Sequence, residues 1–274
     1  MNKSSPIGIF DSGVGGLSVF KAIQELLPHE SQIYIGDQIH IPYGLRPLNE
    51  IHAYATAVTR FLLSKGVKMI VVACNTASAA ALTHLRTAFP QISFVGMEPA
   101  VKPAAEHSTT KHVGVLATPA TFQGRLYASV VERFAQDVVI HQSTVPYLVE
   151  EIEAGRLRGR KTRSILNAAL RPMMSANIDS VVLGCTHFPF VIPLIREIVG
   201  DKVNVIDPSP AIARRVESLL KEKDLLADVK HDREPQFYTT GDPVQFSRFA
   251  KKVIEDDIPV SKLTWEKGVL VEKS

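Results

Sequence analysis

Twice in this chain a short run of apolar, largely β-branched residues stops on a cysteine and hands over to a helix-forming stretch. Lys68 to Leu82 read KMIVVACNTASAAAL, and Asp179 to Phe190 read DSVVLGCTHFPF. Length and β-branched content make each run a buried strand, and the small residues after Cys74 favour a helix. A strand–turn–helix unit repeated in both halves restricts the chain to α/β architectures. Cys74 and Cys185 are its only cysteines, so both thiols occupy the same kind of place.

The rest of the chain follows the same alternation. Strand-like runs at 7–10, 32–35, 69–73, 93–96, 112–116, 137–141, 180–184 and 203–206 are separated by helical patterns at 17–27, 48–65, 77–88, 122–134, 161–176 and 189–199. This predicts mostly parallel sheets with helices on both faces. Proline-bearing turns at 97–102 (MEPAVK) and 206–210 (IDPSP) follow strands and mark crossings between two halves. The expected domains are 1–97 plus 208–274, and 98–207. Ligands of open α/β sheets bind outside the carboxyl ends of strands, where both cysteines are expected. Two similar halves facing each other across a cleft would bring those ends to one place.

Composition narrows the function classes. With 274 residues, 45% of them hydrophobic, the chain has ample core. A formal net charge of +3 sets up no strong field for nucleic acid or a membrane surface. The densest basic stretch, Arg156, Arg158, Arg160, Lys161 and Arg163, reads as a solvated helix face. No apolar run reaches the roughly 18 residues of a membrane span, and MNKSSPIGIF has no long apolar core. A cytoplasmic setting is expected, in which the two cysteines stay free thiols.

A cysteine at a helix start meets oriented N–H groups and the positive end of the helix dipole, which lower its pKa from about 8.5. The thiolate can then be a nucleophile, a metal ligand or a proton base. The plain alternative, a small buried hydrophobe, is weakened by the matching contexts and by the Thr that follows each cysteine within two residues. Zinc is poorly supported, because Cys185 and His187 form no CxxC-type set. A Cys–His hydrolase built on His187 leaves the duplicated cysteine unexplained.

Asp11 ends the first strand in GIFDSGVGGLSV, ahead of Gly13, Gly15 and Gly16. These glycines let the backbone approach a ligand and expose a helix N-terminus to an anion. A dinucleotide fits badly: Ser18 occupies the third glycine position, and no acidic residue except Asp37 ends the second strand at the usual distance. GK[ST] is missing too, so no P-loop is present, and a small carboxylate is the better anion. Pro42, Tyr43, Gly44, Asn75, Thr76, Thr118, Thr121 and Thr186 are polar or turn positions at strand ends. Read singly, such residues are turn or helix-cap positions; their coincidence on one rim is the signal.

Taken together, FDSGVGGLSV (10–19), PYG (42–44), VACNTASA (72–79), GVLATPAT (114–121), LGCTHFP (183–189) and IDPS (206–209) resemble the glutamate racemases, cofactor-independent members of the Asp/Glu racemase family. The likeness runs from near residue 6 past residue 250, where FYTTGDP also fits. It implies two α/β domains related by a pseudo-twofold, with the active site in the cleft between them. It implies a two-base racemisation of glutamate that supplies D-glutamate for peptidoglycan, with Cys74 serving D-glutamate and Cys185 serving L-glutamate. Asp11 and His187 would assist proton transfer beside the first and second thiol. The family's glutamate falls on Glu153, with Glu150 as the alternative. Asp11, Ser12, Tyr43, Gly44, Asn75, Thr76, Thr118, Thr121, Thr186 and His187 map onto substrate-binding positions. No cofactor and no metal are implied; the partner is a small amino acid, without nucleic acid or membrane, and a homodimer stays open. The competing readings are a racemase of another acid such as aspartate, or a non-catalytic binding or inhibitor protein on the same fold. The segment 38–41 ahead of PYG departs from the usual family pattern.

Overall fold

A computed structural model describes residues 2–229 and 234–272. In chain order these form β1 (Ile7–Asp11), α1 (Leu17–Leu26), β2 (Gln32–Gly36), α2 (Leu48–Ser64), β3 (Met69–Val72), α3 (Asn75–Ala88) and β4 (Ser93–Gly96). There follow α4 (Val101–His107), β5 (His112–Ala117), α5 (Pro119–Gln123), α6 (Arg125–Phe134), β6 (Val139–Thr144), α7 (Leu148–Glu153), α8 (Arg160–Ser175), β7 (Ser180–Gly184), α9 (Ile192–Val199) and β8 (Asn204–Ile206). The chain ends with α10 (Ser209–Glu222), β9 (Gln236–Thr239), α11 (Pro243–Ile254), β10 (Val260–Glu266) and β11 (Val269–Glu272). It is an α/β protein that divides into two compact units, Met1–Met97 with Ser209–Ser274, and Glu98–Pro208.

The first unit is built on a seven-stranded sheet in the order β11-β10-β9-β2-β1-β3-β4. Every pairing is parallel except the terminal hairpin of β10 with β11. β1, β2 and β3 are buried along their whole length, which is why they read as unbroken apolar runs rather than alternating ones. α2 lays Ile51, Ala55, Val58 and Leu62 on the core side at helical spacing. Strand order reverses at β1: β2 lies on one side of it and β3 on the other, which makes a switch point between β1 and β3.

The second unit repeats the scheme with four parallel strands in the order β6-β5-β7-β8. Its switch point lies between β5 and β7. Two details differ from the sequence pattern. The helix expected over 122–134 is two helices, because Thr118 caps α5 by accepting from Thr121 N and Pro119 starts the helix early. Gly124 (φ −72°, ψ 138°) then leaves helical geometry before α6 begins. The strand expected at 137–141 runs Val139–Thr144 instead, since its register with β5 starts at the His112–Val139 pair. α4, α7, α10, α11 and β9 to β11 have no counterpart among the elements read from the pattern.

Candidate active site

In the first unit, register alone places the leading residues. Phe10 pairs with Val72 across β1 and β3, so two positions further on Ser12 and Cys74 leave the sheet side by side. Ser12 Oγ lies 4.0 Å from the Cys74 sulfur and 3.4 Å from Asp11 Oδ1. The other Asp11 oxygen accepts from Gly16 N at 2.8 Å. A side chain at Gly16 would stand 2.9 Å from Asp11 Cβ and from the Tyr34 hydroxyl, and 3.0 Å from Ala73 Cβ. Glycine is therefore required where the loop closes over the strand ends.

Cys74 is the N-cap of α3, and its sulfur accepts from Ala77 N at 3.4 Å. That contact and the helix dipole both favour negative charge on the sulfur. α3 is held to the sheet by Ser78, whose hydroxyl donates to Val72 O and accepts from Met97 N. Next to the thiol, Asn75 is 3% exposed, yet neither polar atom of its side chain has a hydrogen-bond partner among the described residues. Buried amides are nearly always satisfied, so such an exception at a strand end points to ligand contact. Thr76 is buried beside it. Tyr43 reaches the same surroundings differently: its ring is 1% exposed and its hydroxyl donates to Asp37 Oδ2 at 2.7 Å. Burial first, then the negative charge of Asp37, raise its pKa well above 10.0. The Tyr43 hydroxyl is therefore engaged by Asp37.

In the second unit Ala117 pairs with Gly184, so Thr118 and Cys185 leave the sheet together. The Thr118 and Thr121 hydroxyls bond each other at 3.0 Å. The Cys185 sulfur lies 3.8 Å from His187 Nδ1, and His187 Nε2 lies 2.7 Å from Glu153 Oε1. His187 and Thr186 are both buried. Burial by itself would lower the histidine pKa, but the contacts with Cys185 and Glu153 outweigh it and hold the ring protonated well above its ordinary 6.5. The result is an imidazolium between a sulfur and a carboxylate. Glu153, at the end of α7, makes this contact, whereas Glu150 is exposed.

Each unit thus ends a central strand in a cysteine at its own switch point, beside an acid–base group. In neither unit, among the described residues, are three His, Cys, Asp or Glu side chains gathered to hold a metal ion. No helix among those residues is long and apolar enough to cross a membrane. The residue that pattern reading undervalued is Asp37, noted only as the acidic residue that ends the second strand.

An α/β protein with paired strand-end thiols of this kind falls into a defined class: the chain belongs to the Asp/Glu/hydantoin racemase family, whose model matches residues 7–216. It is 44% identical over 259 residues to a glutamate racemase of Roseiflexus sp. (strain RS-1), covering 94% of each chain. Among solved structures, a glutamate racemase isoform of Bacillus anthracis superposes with a TM-score of 0.86 at 31% identity, over 98% of this chain and 100% of that one. The glutamate racemase of Francisella tularensis subsp. tularensis SCHU S4, in complex with D-glutamate, gives 0.83 at 30% identity over 96% and 98%.

Proposed function

We propose that this protein interconverts L- and D-glutamate by removing the α-proton on one face and delivering another on the opposite face, without a cofactor. The observation that carries the reading is the pair of cysteines, each at the carboxyl end of a central strand and each beside its own acid–base group. In the D-to-L direction the Cys74 thiolate takes the α-proton, assisted by Asp11, leaving a planar carbanionic intermediate. The Cys185 thiol returns a proton to the opposite face, so one C–H bond is broken and one formed. L-to-D reverses the roles, with the His187 imidazolium and Glu153 beside the Cys185 thiolate that then acts as base. The scheme requires both thiols to face one substrate.

Ser12, Asn75, Thr76, Thr118, Thr121 and Thr186, with the backbone of Tyr43 and Gly44, are assigned to the carboxylates and the ammonium group. Hydroxyls, an amide and N–H groups suit a small amino acid. The relatives named as glutamate racemases support glutamate over aspartate. We place the protein in the cytoplasm, where thiols stay reduced, supplying D-glutamate for peptidoglycan. Sedimentation would decide whether it works as a homodimer.

The test is solvent deuterium incorporation at the α-carbon of L- and D-glutamate, without added cofactor, beside aspartate. Exchange with inversion of glutamate is expected. Exchange of aspartate alone, or of neither acid, would overturn the reading.

A further inference from the structure

Asp37 follows β2 and is fully buried. Burying a carboxylate is costly unless its lone pairs are used, and here each oxygen serves two donors. Oδ2 accepts from the Tyr43 hydroxyl at 2.7 Å and from His40 Nδ1 at 2.8 Å. Oδ1 accepts from the Thr240 hydroxyl and from the Trp265 indole N–H, both at 2.9 Å. These donors come from PYG itself and the segment ahead of it, from the turn after β9 and from β10. Around them the His40 ring stacks on Tyr54 at 3.8 Å, and Trp265 meets both rings edge-on at 5.0 and 5.5 Å.

This knot reaches the candidate site through one side chain. The turn Tyr43–Leu45 packs against α3, the helix that begins after Cys74. Tyr43 also shares a core cluster with Cys74 and Ala77. Its ring is thus a strut, with Asp37 at one end and the Tyr43–Gly44 backbone at the other. We propose that Asp37 is a positioning residue, which through the Tyr43 hydroxyl holds the Tyr43–Gly44 backbone in its place beside Cys74. The inference rests on the reading that this backbone contacts the substrate.

Asp37→Asn keeps the shape but turns one acceptor into a donor facing two donors, and Tyr43→Phe removes the same hydrogen bond while keeping the ring. A hydrogen bond to a charged group is lost in each case, so KM for both enantiomers should rise about tenfold or more while kcat falls much less. Trp265 is the only tryptophan, so its emission reports on the knot. Adding glutamate should change that emission in the wild type and leave it unchanged in Tyr43→Phe. A folded Asp37→Asn or Tyr43→Phe protein with wild-type KM and only a lower Tm makes Asp37 a structural group and overturns the inference. Should Asp37→Asn not fold, Tyr43→Phe decides by the same two readouts. Wild-type protein that neither exchanges nor binds glutamate overturns the functional reading and this inference together, whereas exchange with an unmoved KM in the variants overturns the inference alone.

Discussion

Glu153 Oε1 lies 2.7 Å from His187 Nε2, and the other nitrogen of the same ring faces the Cys185 sulfur at 3.8 Å. The ring thus carries its charge between two acceptors in a buried place, and its protonation depends on both.

That dependence has a sign. His187 has a raised folded pKa, so the stability tied to its charge is complete below the ordinary 6.5 and is lost as pH rises through the raised value. Glu153→Gln removes one anion and leaves the burial cost, so the titration of His187 should move down. NMR titration of the ring should show this shift in Glu153→Gln and a smaller one in Glu150→Gln. Equal curves for wild type and Glu153→Gln would refute the coupling.

The two thiols should be separable. Replacing either by Ser leaves a weaker base of nearly the same shape, so racemisation should fall by about 100-fold or more while the fold survives. Elimination from a glutamate analogue with a leaving group on the β-carbon needs proton removal only. Cys74→Ser should still eliminate from the L-analogue and Cys185→Ser from the D-analogue. One mutant with full racemase activity, or two folded mutants inert toward both enantiomers, would end the two-base assignment.

Acid should weaken the second unit through Asp179, at the entry to β7. Burial pushes its pKa up, but hydrogen bonds from Thr110, Ser108 and Thr109 outweigh that and bring it down to about 2. A depressed folded pKa contributes stability that is present above the unfolded value of about 3.9 and lost as pH falls through the folded one. Urea midpoints should therefore drop between about pH 4 and pH 2 in the wild type, and Asp179→Asn should flatten that drop. Parallel curves would show that Asp179 contributes nothing to it.

Close packing under Cys185 should be intolerant of a methyl group. A Cβ at Gly184 would meet Ala117 Cβ at 2.8 Å and Leu116 O at 3.0 Å. Gly184→Ala should cost about 1–3 kcal/mol in urea unfolding, the usual penalty of overpacking. Wild-type stability in that variant would show that the strand ends can part freely.

Much of this protein is legible locally. A buried parallel strand is a short β-branched run whatever it pairs with, and a helix start after it needs only the next few residues, so β1 to β5, β7 and both cysteine positions stand in the sequence. The choice between Glu150 and Glu153 does not: both lie on α7, and only the packing of that helix brings one of them to His187. Tyr43 reads as a polar contact, yet its hydroxyl is turned to Asp37. Asp37 in turn gains its meaning from Trp265, 228 positions away. Short-range propensity is set by neighbours in the chain, whereas the partners of a buried charge are chosen by strand order and register. For that reason the sequence determined the strand–cysteine–helix units, and only the tertiary structure decided which side chains hold them.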